Sequence, residues 1–104
     1  MTEQNDQTFN TTKKQGSTLV FFYTKWCCLC PGVDEIIAEM EQAASPKFCC
    51  IKVDFDQSPI AAKKYGIWGF PAVAYFKDEE LVDILFGVQP SKNYKEALQN
   101  LALI

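Results

Sequence analysis

The stretch from Ser17 to Pro31 reads STLVFFYTKWCCLCP, and it decides the fold of the chain. Its first part, Ser17 to Tyr23, is a continuous run of apolar and β-favouring residues, which predicts a strand buried on both faces. Such a strand belongs to a sheet that is covered by helices on both sides. Its second part, from Thr24 to Pro31, brings Cys27, Cys28 and Cys30 to the place where the strand ends and a helix follows.

The helix after these cysteines is predicted from a regular alternation of apolar and acidic residues. The apolar positions recur at helical spacing, on Val33, Ile36, Ile37, Met40 and Ala44. The acidic positions fall on the other side, which we expect to be a solvated exterior, and they are Asp34, Glu35, Glu39 and Glu41. The pair Ser45-Pro46 ends this helix.

Further elements alternate along the rest of the chain. We predict a strand from Lys47 to Phe55 and then a short helix from Ile60 to Tyr65, with Ser58 as its N-cap and Gly66 as its stop. Two further strands are predicted from Ala72 to Phe76 and from Leu81 to Phe86. The last predicted helix is capped by Ser91, and its buried stripe consists of Tyr94, Ala97, Leu98 and Leu101. The turn from Lys77 to Glu80 is short enough for an antiparallel hairpin. The order β-α-β-α-β-β-α predicts an α/β fold, a central mixed β-sheet flanked by helices on both faces.

Length limits the chain to one core, because 104 residues is the size of a single compact domain. We divide it into a polar lead-in, residues 1–16, with a short edge strand near Phe9, and a domain over residues 17–104. The polar start lacks the features of a targeting segment, and no stretch reaches the length of a membrane span. We therefore expect a cytoplasmic protein.

Composition excludes several classes of function. The net charge of −3, with no local basic run, argues against nucleic-acid and membrane partners. The chain contains no histidine, which removes histidine-dependent nucleophilic catalysis and every histidine-ligated metal site. It also lacks arginine and a glycine-rich phosphate loop, so nucleotide chemistry is not expected. The five cysteines remain as the chemical resource.

Cys27 and Cys30 have the spacing of a redox pair. One helical turn would place both sulfurs on the same face, close enough to form a disulfide. If the helix begins at Cys27, its N-terminus favours a thiolate there, which makes Cys27 the nucleophile and Cys30 the resolving thiol. If it begins with Pro31 at its first position, Cys27 lies farther from the helix dipole. The sequence leaves both starts open.

At this point the chain resembles the thioredoxin family, whose signature Trp-Cys-x-x-Cys is matched by Trp26 to Cys30. The stretch Lys63 to Ala72 is similar to the segment that leads to the family's cis-proline, here Pro71. The stretch Lys52 to Pro59 is similar to the family's second buried strand and the turn after it. Gly87 falls where the family has a glycine that lines its peptide groove. The resemblance covers Ser17 to the C-terminus.

The resemblance implies a thioredoxin fold and a protein-disulfide oxidoreductase that needs no dissociable cofactor. Its partners would be disulfide-containing proteins, with a reductase or glutathione as the electron source, and the chain would act as a monomer. Extended substrate segments would bind beside the cysteines, on the surface formed by Trp26, Trp68, Phe70, Pro71 and Gly87. Tyr23 is expected in the core.

The chain departs from the family at three positions that modulate the chemistry, and at a fourth it keeps the family's residue but not that residue's partner. Phe21 stands where the family has a buried aspartate that helps to deprotonate the resolving cysteine, so we expect slower resolution by Cys30. Lys52 matches the lysine beside that aspartate, and without its partner we interpret it as a strand lysine that extends to solvent. Leu29 and Cys28 replace the proline and glycine between the family's cysteines, which leaves the reduction potential open.

The remaining thiols admit other interpretations. Cys28 is a partly exposed spectator or, alternatively, a third redox thiol, a glutathionylation point or a metal ligand. Cys49 and Cys50 lie in a predicted strand, so their side chains point to opposite faces, as small buried hydrophobic residues.

Two other functions stay open for the whole chain. One is a metal or iron–sulfur module that uses Cys27, Cys28 and Cys30. The other is a non-catalytic adaptor with the same fold, which the phenylalanine at position 21 favours.

Overall fold

The structure, a computed structural model, describes residues 2–5, 16–43 and 47–104. Within these residues the strands are β1 (Thr2–Gln4), β2 (Ser17–Tyr23), β3 (Cys49–Asp54), β4 (Ala72–Lys77) and β5 (Glu80–Phe86). The helices in the same residues are α1 (Cys30–Gln42), α2 (Pro59–Lys64) and α3 (Ser91–Ala102).

All of these strands belong to one sheet, in the order β1-β3-β2-β4-β5. Strands β1, β3 and β2 are parallel, whereas β4 runs antiparallel to β2 and β5 antiparallel to β4. The predicted mixed sheet is therefore confirmed. The strand predicted near Phe9 lies outside the described residues, and the edge strand that the structure shows in the lead-in is β1.

Strand β2 is buried on both faces, as its sequence predicts. Its alternate residues Leu19, Phe21 and Tyr23 join one apolar cluster with residues of α1 and α3, and we call this side the α1–α3 face. Val20 and Phe22 join a second cluster with residues of α2 on the opposite face. Because β2 supplies both clusters and pairs with β3 and β4, its end is held at the centre of the sheet, and the cysteines follow from that end.

The turns and caps agree with the predictions in most places. Asp78 and Glu79 both have positive φ, 51° and 74°, which is the conformation of a two-residue hairpin turn. Gly66 follows α2 with φ of 70°, as expected for a helix stop. Ser58 is the N-cap of α2, but its hydroxyl makes no capping hydrogen bond.

Two helix ends differ from the predictions. Ser91 is the first residue of α3 and Pro90 is the N-cap, so the predicted cap is wrong by one position. A proline at the cap needs no amide donor, which lets the helix begin directly after it. Helix α1 ends at Gln42, and the stop predicted at Ser45-Pro46 lies outside the described residues. Among the described helices, none is long and apolar enough to cross a membrane.

Candidate functional site

Cys27 and Cys30 are joined by a disulfide at the junction between β2 and α1. Their Cα atoms are 5.5 Å apart, within the usual range for a disulfide. A turn follows β2, in which the Cys27 amide donates a hydrogen bond of 3.3 Å to the Thr24 carbonyl oxygen. The prediction that these two cysteines can form a disulfide is confirmed.

Helix α1 begins at Cys30, so Cys27 precedes the helix and the two thiols do not share a helical turn. The sequence leaves open a helix that begins at Cys27 or one that begins at Pro31, and the observed start is one residue before Pro31. The physical reason is Pro31, which lacks the amide that would bond the Cys27 carbonyl oxygen if the helix began earlier. The helix dipole therefore acts most directly at Cys30.

The two sulfur-bearing residues differ in exposure. Cys30 is 4% exposed and packs in the α1–α3 face cluster, whereas Cys27 is half-buried at the edge of that cluster. Cys28 and Leu29, between them, are both exposed. A partner protein can therefore approach the Cys27 sulfur more readily than the Cys30 sulfur.

Pro71, just before β4, and Gly87, just after β5, lie together at the edge of the sheet formed by these strand ends. The peptide bond between Phe70 and Pro71 is cis, as the family resemblance implies. The Gly87 amide donates a hydrogen bond of 2.8 Å to the Pro71 carbonyl oxygen. Ala72, the next residue, pairs with Phe22 of β2, so this segment begins beside the end of the strand that leads to the cysteines.

An exposed aromatic surface surrounds this edge. Trp26 is 68% exposed and meets the Phe70 ring edge-on, with ring centroids 4.9 Å apart. Trp68 is 76% exposed and stacks on Phe86 at 4.5 Å. Trp26 and Phe70 are thus in direct contact, while Trp68 is held separately by β5. Tyr23 is buried, as expected.

Two residues that the sequence analysis did not single out hold this surface in place. The Trp26 indole Nε1 donates a hydrogen bond of 2.7 Å to the Asp56 carboxylate, and the Phe55 ring packs on Phe70 at 5.4 Å. Both residues follow β3, whose end lies beside the end of β2. In the sequence, both residues lie in the stretch Lys52 to Pro59, which is similar to the family's second buried strand and the turn after it.

Lys52 is a strand lysine, as interpreted, but its ammonium is paired with a carboxylate and does not simply extend to solvent. Its Nζ lies 3.0 Å from the Asp34 carboxylate and 4.4 Å from the centroid of the Tyr23 ring. Asp34 is partly solvated, as expected for the acidic face of the helix, but it also forms this ion pair. Lys52 pairs in register with Phe21 on β2, and α1 crosses the sheet on that side, so the helix brings Asp34 to the lysine.

The Tyr23 hydroxyl extends this set of polar contacts to the edge strand. It donates to the Glu3 carboxylate, with distances of 2.6 and 2.9 Å to the two oxygens. Burial, and next the hydrogen bond to Glu3, raise the pKa of Tyr23 well above its ordinary range. Tyr23 therefore stays protonated and acts as a hydrogen-bond donor across the physiological pH range.

Position 21, in the same apolar cluster as Cys30, carries no acid or base. Phe21 is fully buried, and its ring centroid lies 6.0 Å from that of Tyr23. Cys49 and Cys50 lie on opposite faces of β3, as predicted. Burial raises the pKa of Cys50 well above its ordinary range, so this thiol remains protonated.

Comparisons with known proteins agree with this geometry. The family model for thioredoxin matches residues 1–100. The thioredoxin of Bacillus subtilis (strain 168) is 33% identical over 96 residues, which cover 92% of this chain and 88% of that protein. The chain belongs to the thioredoxin family.

Other thioredoxins show the same relation. One from Staphylococcus epidermidis is 33% identical over 93 residues, with 89% of each chain covered. A solved structure, a mutant thioredoxin from Halobacterium salinarum NRC-1, has the same fold, with a TM-score of 0.86, 23% identity and coverage of 97% of this chain and 89% of that one.

Family membership and the disulfide together identify a thiol–disulfide oxidoreductase. The metal-module and adaptor hypotheses are not favoured. Cys27 and Cys30 bond to each other, and among residues 2–5, 16–43 and 47–104 no cluster of potential ligands suits a metal ion.

Proposed function

We propose that the protein exchanges disulfides in other proteins through Cys27 as the nucleophile and Cys30 as the resolving thiol. The observation that carries this assignment is the unequal exposure of the two residues, since only Cys27 is open to a protein substrate. A nucleophile that forms an intermolecular bond must be accessible, whereas the resolving thiol attacks from within the same chain.

In the reducing direction the reaction has two balanced steps. The Cys27 thiolate attacks one sulfur of the substrate disulfide, so that a mixed disulfide forms and the other substrate sulfur leaves as a thiolate. The Cys30 thiolate then attacks the Cys27 sulfur, which forms the Cys27–Cys30 bond and releases the second substrate thiolate. Two electrons pass from the protein to the substrate, and the same steps in reverse oxidise a substrate dithiol.

Substrate binding is proposed for the aromatic surface and the edge beside it. Trp26, Phe70 and Trp68 offer apolar contacts, and Pro71 with Gly87 forms a backbone edge beside which an extended segment can lie. Exposed aromatic residues of this size supply much of the binding free energy at protein interfaces. A partner peptide would therefore lie across Trp26 and continue toward Gly87.

Three neighbouring residues are proposed to modulate the rate and the potential. Phe21 provides no proton acceptor below Cys30, so resolution is slower than it would be with an aspartate there. Leu29 and Cys28 stand between the two cysteines and influence the reduction potential. Cys28 is exposed and unbonded, and we treat it as a spectator of the main cycle.

The physiological setting follows from the thiols. Cys28, Cys49 and Cys50 are free, which is typical of a reducing compartment, so we propose the cytoplasm. A reductase or glutathione would return the Cys27–Cys30 disulfide to the dithiol. A monomer suffices, since one chain carries both cysteines and the aromatic surface.

The assignment of roles is tested by trapping the mixed disulfide. Cys30→Ser should accumulate a covalent adduct with a disulfide protein such as insulin, through Cys27, whereas Cys27→Ser should form none at that position. Cys28→Ser is the matched control: it keeps Cys27 and Cys30, and it should still reduce insulin without accumulating an adduct. Adducts that form on Cys28 instead of Cys27 would contradict the proposal.

The effect of Phe21 is tested separately. Phe21→Asp should speed the resolution step, and Phe21→Asn, which is equally polar but cannot take up the proton, should not. Equal single-turnover rates for these two folded variants would show that the residue at position 21 does not limit resolution.

A further inference from the structure

Cys30 must lose a proton before it can attack; the helix N-terminus favours that loss, but burial among apolar residues opposes it. Cys30 is 4% exposed and packs among apolar residues of the α1–α3 face. Apolar surroundings disfavour a thiolate. Phe21, in the same apolar cluster, is fully buried and has no group that takes up a proton.

A carboxylate lies one helical turn away on the same helix. Asp34 follows Cys30 by four residues within α1, a spacing that brings Cβ atoms to within about 5–6 Å. Side chains in a helix lean toward its N-terminus, so the Asp34 side chain leans toward Cys30. The Asp34 side chain is 35% exposed, which gives water access to its carboxylate.

Lys52 holds this carboxylate in place. The distance of 3.0 Å between Nζ and Oδ2 is that of a charge-assisted hydrogen bond. Lys52 is itself held over the Tyr23 ring at 4.4 Å, and the Tyr23 hydroxyl is held by Glu3. A chain of contacts thus runs from β1 across β2 and β3 to α1.

The other charged and titratable groups on this side each have contacts of their own. Tyr23 stays protonated and donates its hydroxyl to Glu3, and Cys50 is a buried thiol. On β3, Asp54 caps the next turn, accepting a hydrogen bond of 2.9 Å from the Asp56 amide. On α3, Lys95 faces Glu39 at the far end of α1, where both line the same shallow pocket.

We infer that Asp34, positioned by Lys52, accepts the proton that Cys30 loses when it attacks the mixed disulfide. The S–H bond of Cys30 breaks, and the proton passes through water to the Asp34 carboxylate. The new thiolate bonds to the Cys27 sulfur, and the bond from Cys27 to the substrate breaks. The departing substrate thiolate takes up a proton from solvent, to which Asp34 returns its own. This inference rests on the proposed function and gives the resolution step its base.

The test compares Asp34→Asn with Glu35→Gln, which removes the same charge from the next residue of the helix, where the side chain is exposed. All variants carry Cys28→Ser, so that Cys27 is the accessible thiol. Single-turnover reduction of insulin is followed from pH 5.5 to 9.5, and the alkylation rate of Cys27 is measured on the same samples.

Asp34→Asn should slow resolution at pH 7 by about 100-fold, the lower end of what a general base contributes, and should approach the control at the highest pH. Lys52→Met should also move the profile, because it releases the carboxylate. The alkylation rate of Cys27 should stay unchanged in each, which shows a folded protein with its first step intact. Restoration of the profile by Asp34→Glu would further support the inference.

Superimposable pH profiles for Asp34→Asn and Glu35→Gln would overturn the inference. That result leaves the proposed function standing, since the control still reduces insulin. Failure of the Cys28→Ser parent itself to reduce insulin through Cys27 and Cys30 would instead overturn the proposed function.

Discussion

The five cysteines of this protein lie in two segments, one that follows a strand and one that belongs to the neighbouring parallel strand. The junction segment, Cys27 to Cys30, follows the end of β2, whereas the strand segment, Cys49-Cys50, begins β3. Thr18 near the start of β2 pairs with Cys49, so the two segments lie at opposite ends of these two adjacent strands.

The two segments differ in chemistry because they differ in backbone conformation. In the junction segment the chain turns, and residues three apart come close enough to bond. In the strand segment the backbone is extended, adjacent side chains point to opposite faces, and no disulfide can join them. Cysteines can therefore form a disulfide in the junction segment, whereas in the strand segment they remain free thiols.

The sharpest test of this difference is activity. Cys27→Ser and Cys30→Ser should each reduce steady-state insulin reduction to the rate of the buffer blank, because neither serine can form the required disulfide. Cys50→Ala and Cys49→Ala should keep most of the activity. Loss of activity in Cys50→Ala, with its fold intact by circular dichroism, would show that the strand segment takes part in the cycle.

The next largest effect should be in thiol labelling of the native, reduced protein. Cys28 is exposed and should react freely with iodoacetamide. Cys50 is 5% exposed and reacts only when the structure opens, so we expect it to label at least about 1,000-fold more slowly. Peptide mass spectrometry gives both rates, and rates within tenfold of each other would contradict the burial of the strand segment.

A serine substitution compares the two environments in free energy. Cys50→Ser places a hydroxyl in an apolar cluster and should lower the free energy of unfolding by about 1–3 kcal/mol. Cys28→Ser, at an exposed position, should change it by less than about 0.5 kcal/mol. Urea unfolding of the oxidised proteins measures both, and equal effects would break the comparison.

The smallest effect should appear in alkaline stability. Burial raises the pKa of Cys50 above its ordinary value of 9.0, so the unfolded chain loses this proton first as the pH rises. The free energy of unfolding should then fall above that pH, by at most about 1.4 kcal/mol per pH unit for this group. Cys50→Ala should show a shallower fall between pH 9 and 10 in urea unfolding, and an identical slope would contradict the assignment.

Much of the fold follows from local patterns in the sequence. Strand β2 was predicted residue for residue, because a continuous run of seven apolar and β-favouring residues leaves little choice between strand and loop. Strand β1 could not be predicted in the same way. It has three polar or charged residues, and its order comes from pairing with β3 and from the hydrogen bond between Glu3 and Tyr23.

The site was predicted in part. The spacing of Cys27 and Cys30 pointed to the disulfide, and the resemblance to thioredoxins supplied Pro71. The pair between Asp34 and Lys52 was missed, since it depends on how α1 crosses the sheet, which the periodicity of the helix does not determine. The start of α1 was resolvable in principle from Pro31, whose missing amide prevents an earlier hydrogen bond.

The most direct test of the account is an equilibrium redox titration of the wild-type protein in glutathione buffers, with acid trapping and mass spectrometry of the free thiols. The account predicts one reversible two-electron transition that joins Cys27 to Cys30, with Cys28, Cys49 and Cys50 free in both end states. A transition in which Cys28 replaces either partner, or the absence of a reversible Cys27–Cys30 bond, would contradict it.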